Sequence, residues 1–464
     1  MPKRSAAADT HDVQKAQVSS VPQNEQWLGQ PRGLTILFLT EMWEIFSYYG
    51  MRALLVYYMT KQLMLGQQQA SLIYGIYTAT VYFTPIIGGF ISDRWLGHRR
   101  AVIIGGSIMA IGHFMMASES FFYFALAAIA IGNGLFLPSL PSQIDGLYTE
   151  DDPRRGSAYN VYYVGINLGG LLAPLVCGTL GELYGWHWGF GAAGVGMLIG
   201  LAIYISGGRY LPSDSKVPKR QEARPGPPSL ASADLRRTLL VLGAIALTVM
   251  LFRGAYEQVG NTIALWTDST VDRVVASDLS IPMTWFQALN PLLVILLTPL
   301  FVAHWTRQAV KGREPAPARK MSFGALGVAV AYLLLAAVSG ASGAGQVSWL
   351  WLALFFLILT AGELFILPVG LGLFARLAPE GHGATTIAAW FFAAFGGNLL
   401  AGALGMLWSV IGHTEYFALM AGVAATAGLA LWLLDRPAGQ LTKPRAAVLG
   451  SPQQHGNHNH ANNE

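Results

Sequence analysis

The chain has 464 residues, of which 53% are apolar and only 12% charged, with 53 glycines and a net charge of +4; its mean hydropathy is +0.43. A soluble domain carries about 25% charged residues, so this composition excludes a water-soluble globule and points to a chain that crosses a membrane many times. The lone cysteine, Cys177, excludes a disulfide framework and a thiolate metal site.

The first ~27 residues are polar, with no apolar run before Leu34, so no leader peptide is expected. About 20 apolar residues are needed to cross the ~30 Å hydrocarbon layer. Such windows recur along the chain at Leu34–Met59, Ala70–Ser92, Ala101–Ala117, Phe121–Leu147, Ala158–Leu183, Trp188–Leu211, Thr238–Trp266, Ile281–Trp305, Ser322–Val338, Ser348–Leu377, Ala384–Ile411 and Tyr416–Leu434. Between Leu211 and Thr238 lies PSDSKVPKRQEARPGPPSLASADLRR, rich in proline and basic residues and without apolar periodicity, which reads as a linker. The expected organisation is an N-terminal segment (1–33), a six-helix bundle (34–211), the linker (212–237), a second six-helix bundle (238–435) and a polar tail (436–464). The tail ends HGNHNHANNE and is expected to be disordered, its histidines solvated rather than holding a metal.

All but four of the 29 Lys and Arg fall on the side of the two termini, which places that side in the cytoplasm. Lys61 and Arg273 fall opposite, and Arg52 and Arg253 lie within spans. Because the positive charge is sorted in this way, it speaks for topology and against a nucleic-acid partner. Two six-helix halves joined by a basic linker is the pattern of carriers whose site lies between the halves near mid-membrane.

The first span contains EMWEIFSYYGMR, Glu41 to Arg52. At about 100° per residue, Glu41, Glu44, Tyr48 and Arg52 fall within roughly 80° of arc. An ionised side chain facing lipid costs at least about 3 kcal/mol, so this stripe is expected to face a hydrated cavity or to pair internally. A structural ion pair would account for any one of these groups; together with two tyrosines they favour a path for a solute or for protons. In the seventh span, LFRGAYEQ places Arg253, Glu257 and Asn261 on one face by i, i+4 spacing. Pro138, Pro141, Pro291 and Pro368 interrupt helical hydrogen bonding in the fourth, eighth and tenth spans. The pairs Gly169–Gly170 and Gly396–Gly397 read as close helix contacts. No GxxxxGK[ST], HExxH or GxSxG occurs, so an ATP-driven pump, a metalloprotease and a serine hydrolase are not expected.

EMWEIFSYYGMR resembles the ExxERFxYYG signature on the first helix of the proton-dependent oligopeptide transporters, a family of the major facilitator superfamily. GGFISDRWLGHRRAV, Gly88 to Val102, resembles the superfamily's loop between its second and third helices, and Gly134 to Leu175 is similar to the family's second signature. FQALNPLLVILLTPLF and GELFILPVGLGLFARLAP are similar to its eighth and tenth helices. The resemblance implies the major facilitator fold, an all-α membrane protein of 12 transmembrane helices in two six-helix bundles. It also implies a secondary active transporter that imports di- or tripeptides, or peptide-like zwitterions, together with protons. Two alternatives stand beside it: a weakly coupled or uncoupled carrier of another small anion or amino-acid derivative, and a non-transporting membrane sensor with the same fold.

Residue by residue, the resemblance implies proton coupling by Glu41, Glu44 and Glu257 and gating by Arg52 and Asp93. It implies substrate contacts from Asn167, Asn290 and Glu363 at the peptide amine and from Tyr48, Tyr49, Tyr82 and Trp390 around side chains. No metal and no cofactor beyond the coupling proton is implied. A monomer in the lipid bilayer of a plasma membrane, the inner membrane of a bacterium, is expected. Two departures stand out: Ile45 replaces the arginine of the signature, and Leu137 replaces a lysine usual on the fourth helix. Both lost cations serve the peptide carboxylate and the first-helix acids in the family, which moves the expected proton traffic toward Glu257 and Glu363. Arg253 stands where the family tends to have tryptophan. It is expected to restore the lost charge, pairing with Glu44 or Glu257 when the site is empty and meeting a substrate carboxylate when it is loaded. A static bridge to Glu257 is the rival reading.

Overall fold

The computed structural model describes residues 26–27, 29–149, 152, 154–212, 232–276, 279–343, 345–378 and 383–442. Most of the expected N-terminal segment, linker and tail therefore lies outside the described residues. Twelve helical segments account for nearly all the rest. In the first half they are α1 (Arg32–Tyr57), α2 (Gln67–Ile91), α3 (His98–Met115), α4 (Phe122–Ser139), α5 (Arg155–Ala173, carried on through a π turn to Tyr184) and α6 (Trp186–Ser206). In the second they are α7 (Ser232–Tyr256, carried on by a 3-10 turn into Thr262–Ser269), α8 (Leu289–Val310, led by the 3-10 turn Met283–Ala288), α9 (Pro317–Ser342), α10 (Trp349–Leu364 and Leu367–Leu377), α11 (Gly383–Gly405) and α12 (His413–Thr442). Ten of these, with their extensions, are long and apolar enough to cross a membrane; the two others are α1, which carries the charged stripe, and the 18-residue α3.

Single glycines make the tightest connections. Gly97 and Gly185 turn the chain between α2 and α3 and between α5 and α6 with φ of 77° and 113°, a region that L side chains avoid. Helix ends differ from the sequence reading in two places. α7 already begins at Ser232 and α12 runs to Thr442, so 232–237 and 436–442, assigned above to linker and tail, are helical. Arg237 donates to Gln440 Oε1 and Arg319 pairs with Asp435 at 2.6 Å, which ties the basic ends of α7, α9 and α12 together beyond the apolar layer.

Each half builds its own core. One apolar cluster, centred on Phe252, Tyr332, Phe355 and Phe417, draws only on residues from Val241 onward, whereas two others draw only on α1–α6 and the turns that follow them. The halves meet along two seams. At the α2–α11 seam a methyl added to Gly75 would sit 2.4 Å from Gly402 Cα, so the two backbones touch directly. At the α5–α8 seam a methyl added to Gly170 would lie 3.5 Å from the Pro291 ring, an ordinary contact distance, so this seam is less tight. Small residues permit this approach without a hydrophobic driving force between helices in lipid.

Polar contacts between the halves gather from mid-depth to one end, marked by Lys61. There Lys61 pairs with Asp268 at 2.6 Å, Tyr57 donates to the Ala264 carbonyl at 3.0 Å and Gln67 to the Gly405 carbonyl at 2.9 Å. Val56, Tyr57, Ala264 and Met283 form a small apolar plug beside them. Glu182, near the end of α5, accepts from the amides of Met283 and Thr284 at 2.9 and 2.8 Å and from the Thr284 hydroxyl, clasping the first turn leading into α8. Toward the opposite, basic end, the hydrogen bonds found among described residues stay within a half, such as Arg99 to the Gly208 carbonyl at 2.8 Å.

Candidate functional site

Two acidic residues of the second half sit where helices break. α7 changes from α to 3-10 geometry at Glu257, and α10 is interrupted at residues 365–366, two residues past Glu363, where Pro368 removes a backbone donor. Such breaks free backbone groups and aim side chains into a cavity, the arrangement membrane carriers use at mid-depth.

Both carboxylates line a polar cleft between the halves. Its walls are Tyr49 and Arg52 of α1, Tyr82 of α2, Arg253, Tyr256 and Glu257 of α7, Gln287 and Asn290 before and at the start of α8, and Glu363 of α10. The open volume is about 100 Å³, room for about three waters.

The cleft has two poles. At one, Glu257 is 3% exposed and holds two guanidinium groups, Arg52 Nη2 at 2.6 Å on Oε2 and Arg253 Nη1 at 2.8 Å on Oε1. Arg52 also donates from Nε to the Tyr74 hydroxyl at 2.7 Å and lies over the Tyr49 and Tyr74 rings, while Arg253 lies over the Tyr82 ring at 5.2 Å. The Arg52–Glu257 pair crosses from one half to the other. Arg253 Nε is buried with no hydrogen-bond partner among the described residues. At the other pole Asn290 Nδ2 donates to Glu363 Oε2 at 2.6 Å and lies 3.1 Å from the Thr360 hydroxyl; Tyr256 bonds the same carboxylate. Glu363 has no cation in ion-pair range among the described residues, so an ammonium group is the complement it lacks.

The cleft thus gathers seven of the residues singled out in the sequence: Tyr49, Arg52, Tyr82, Arg253, Glu257, Asn290 and Glu363. Of the two partners expected for Arg253, it is Glu257 that it meets. Six others lie outside this lining. Glu41 and Glu44 are each 1% exposed, and each has one carboxylate oxygen with no hydrogen-bond partner among the described residues. Neither forms an ion pair with a described residue. They are enclosed because glycines bring the neighbouring backbones onto α1: Gly165 and Gly169 of α5 abut Phe38 and Met42, and Gly200 of α6 abuts Trp43. Ile45, in the place of the signature arginine, packs on Gly169 in that seam. Tyr48 belongs to the core of the first half, edge-on to Tyr49. Asn167 turns back to the Tyr163 carbonyl of its own helix at 2.9 Å. Trp390 is 6% exposed and wedged against Gly370 and Phe374, a packing position in the second half. Asp93, at the basic end, is exposed, with His98 Nε2 at 3.7 Å.

Sequence reasoning missed Glu182, Tyr256, Gln287 and the Lys61–Asp268 pair. Tyr256 could have been found from its place beside Glu257. Nothing in the sequence ties Glu182 to Thr284, about a hundred positions away; the link exists because Gly178 lets the two helices close, a methyl there falling 2.1 Å from Thr284 Oγ1.

Comparison with known proteins bears on what such a cleft holds. The profile of the POT family matches residues 99–222 and 229–417. A di-/tripeptide transporter of Lactococcus lactis subsp. cremoris is 31% identical over 480 residues, covering 89% of this chain and 96% of that protein. A peptide transporter of Yersinia enterocolitica is 33% identical over 461 residues, covering 83% and 90%. Among solved structures, a peptide transporter POT in complex with sulfate superposes with a TM-score of 0.85 at 29% identity, over 92% of this chain and 99% of that one. A POT family transporter in complex with 5-aminolevulinic acid gives 0.83 at 25% identity, over 92% and 100%.

Proposed function

The chain belongs to the POT family of membrane transporters, and on that premise we propose that it carries di- and tripeptides, or peptide-like zwitterions, by alternating access with the proton as coupling ion. The observation that carries this reading is the two-pole cleft. Glu363 and Asn290 offer acceptors to a peptide amine, and Arg52 with Arg253 offers donors to its carboxylate. The separation of the poles by tyrosines leaves room for side chains of varied shape once the cleft widens beyond its present volume.

In this mechanism the proton acts at Glu257. A proton there removes the charge that binds Arg52 from the other half and frees both guanidinium groups for the substrate carboxylate. Loss of the cross-half bridge loosens the Lys61 end, and the halves rock to open it. The basic end is taken as cytoplasmic by its arginines, so the arrangement closed at the Lys61 end is the cytoplasm-facing one. Glu41 and Glu44, sealed behind α5 and α6, keep at most an indirect part in this scheme. A monomer in the inner membrane of a bacterium, without metal or other cofactor, completes the reading.

The small cleft and the loss of the cations at Ile45 and Leu137 also favour a second reading, a carrier of compact amino acids of the 5-aminolevulinic type. Uptake of radiolabelled dialanine into proteoliposomes, with and without an inward proton gradient, tests the first. Accumulation above equilibrium only with the gradient supports it. Gradient-independent exchange removes the coupling, and no uptake of dialanine alongside uptake of 5-aminolevulinic acid replaces the peptide by the smaller solute.

A further inference from the structure

From the charges that line the cleft we infer that Arg253 sets a preference for peptides bearing a second carboxylate, with net charge −1, over neutral and cationic ones. This rests on the peptide reading given above and names the class of peptide.

The count of charges carries the argument. The lining holds two guanidinium groups, Arg52 and Arg253, and two carboxylates, Glu257 and Glu363. A zwitterion places its amine at Glu363 and its carboxylate at the arginines, and the cleft is then balanced with Glu257 ionised. When Glu257 takes up the coupling proton, one guanidinium is left without a counter-charge. A buried cation in that state is costly. A side-chain carboxylate on the substrate supplies the missing anion; a neutral side chain does not, and a cationic one adds to the excess.

The groups around Glu257 offer no other remedy. Facing it are Tyr49 and Arg52 of α1, Tyr74 of α2, Arg253 and Tyr256 on its own helix, Tyr332 of α9 and Glu363 of α10. The one anion among them, Glu363, is held by Asn290 and Tyr256 at the opposite pole. Arg253 is also the cation with capacity to spare. It is 6% exposed, its Nη1 goes to Glu257, and its Nε lies buried without an acceptor among the described residues.

The test measures equilibrium binding of dialanine, alanyl-glutamate and alanyl-lysine to the purified full chain below neutral pH. Alanyl-glutamate is expected to bind about tenfold more tightly than dialanine, a difference of about 1.4 kcal/mol, and alanyl-lysine more weakly than either. In Arg253→Gln the ratio between alanyl-glutamate and dialanine is expected to fall to within about twofold, and Arg253→Lys should keep most of it. Dialanine binding with no preference in the unaltered protein overturns this inference alone, and so does an unchanged ratio in a folded Arg253→Gln. Binding of none of the three overturns the peptide reading and this inference with it. Should Arg253→Gln fail to fold, the order in the unaltered protein decides.

Discussion

Glu182→Gln is the sharpest probe of how the Lys61 end stays shut. The carboxylate takes three donors from the turn leading into α8: two backbone amides and the Thr284 hydroxyl. A hydrogen bond to a charged group is worth about 1.5–3 kcal/mol net, and a negative charge at the start of a helix adds about 0.3–1 kcal/mol. Glutamine keeps one neutral acceptor but turns an amide donor toward backbone donors. The loss therefore comes to about 2–3 kcal/mol. Because Glu182 is only half-buried, solvent screening makes the lower figure the one to expect. About 2 kcal/mol shifts the equilibrium between shut and open by about thirtyfold, turning a ratio of about 99:1 into one near 3:1. Spin labels at the exposed positions Tyr184 and Val275, in a Cys177→Ala background, report the separation of α5 from the loop before α8. A second, longer distance should appear in Glu182→Gln. An unchanged single distance in folded protein would refute the assignment of the clasp.

The Lys61–Asp268 pair makes the contrasting case. Both partners are partly exposed, at 42% and 23%, and such pairs contribute about 0–1 kcal/mol, so Lys61→Ala should change the initial rate of peptide uptake less than about threefold. Gly75→Val should abolish uptake and lower the thermal midpoint, because its first added carbon lands 2.4 Å from Gly402 Cα, where only backbone can yield; normal uptake would show that the α2–α11 seam is not closely held. Glu363→Gln removes the counter-charge for a substrate amine and should weaken dialanine binding by about thirtyfold, or about 2 kcal/mol. In the same variant the discrimination against N-acetylated dialanine should collapse, and retention of that discrimination in a titration would place the amine elsewhere.

The spans, the two halves, the interruption of the tenth span and the pairing of Arg253 with Glu257 were legible because they rest on local signals. Apolar runs of membrane length, Pro368 after Glu363, and the i, i+4 spacing of Arg253 and Glu257 each act within a turn or two of helix. Spatial neighbourhood was less legible. Glu41, Glu44, Tyr48 and Arg52 share one stripe of α1, yet of these only Arg52 reaches the cleft, since α5 and α6 close over the first part of α1 through their glycines. Trp390 shows the same limit: its large ring suits a pocket wall, but the missing side chain of Gly370 gives it a slot in the core instead. Glu182 had no local signal at all, because its partners come from the other half.

The direct meeting of Gly75 with Gly402, and the small Gly170 and Pro291 facing each other at the second seam, have a mechanical meaning. Seams made of backbone and small rings have few knobs to lift out of holes, so they behave as smooth bearings, and the bundles can turn about the line joining them at little cost. Under such a turn, groups near that axle sweep short arcs while those at the two rims sweep long ones. The latches that choose which rim parts are then side chains far from the axle, and evolution can retune them without disturbing the bearing itself.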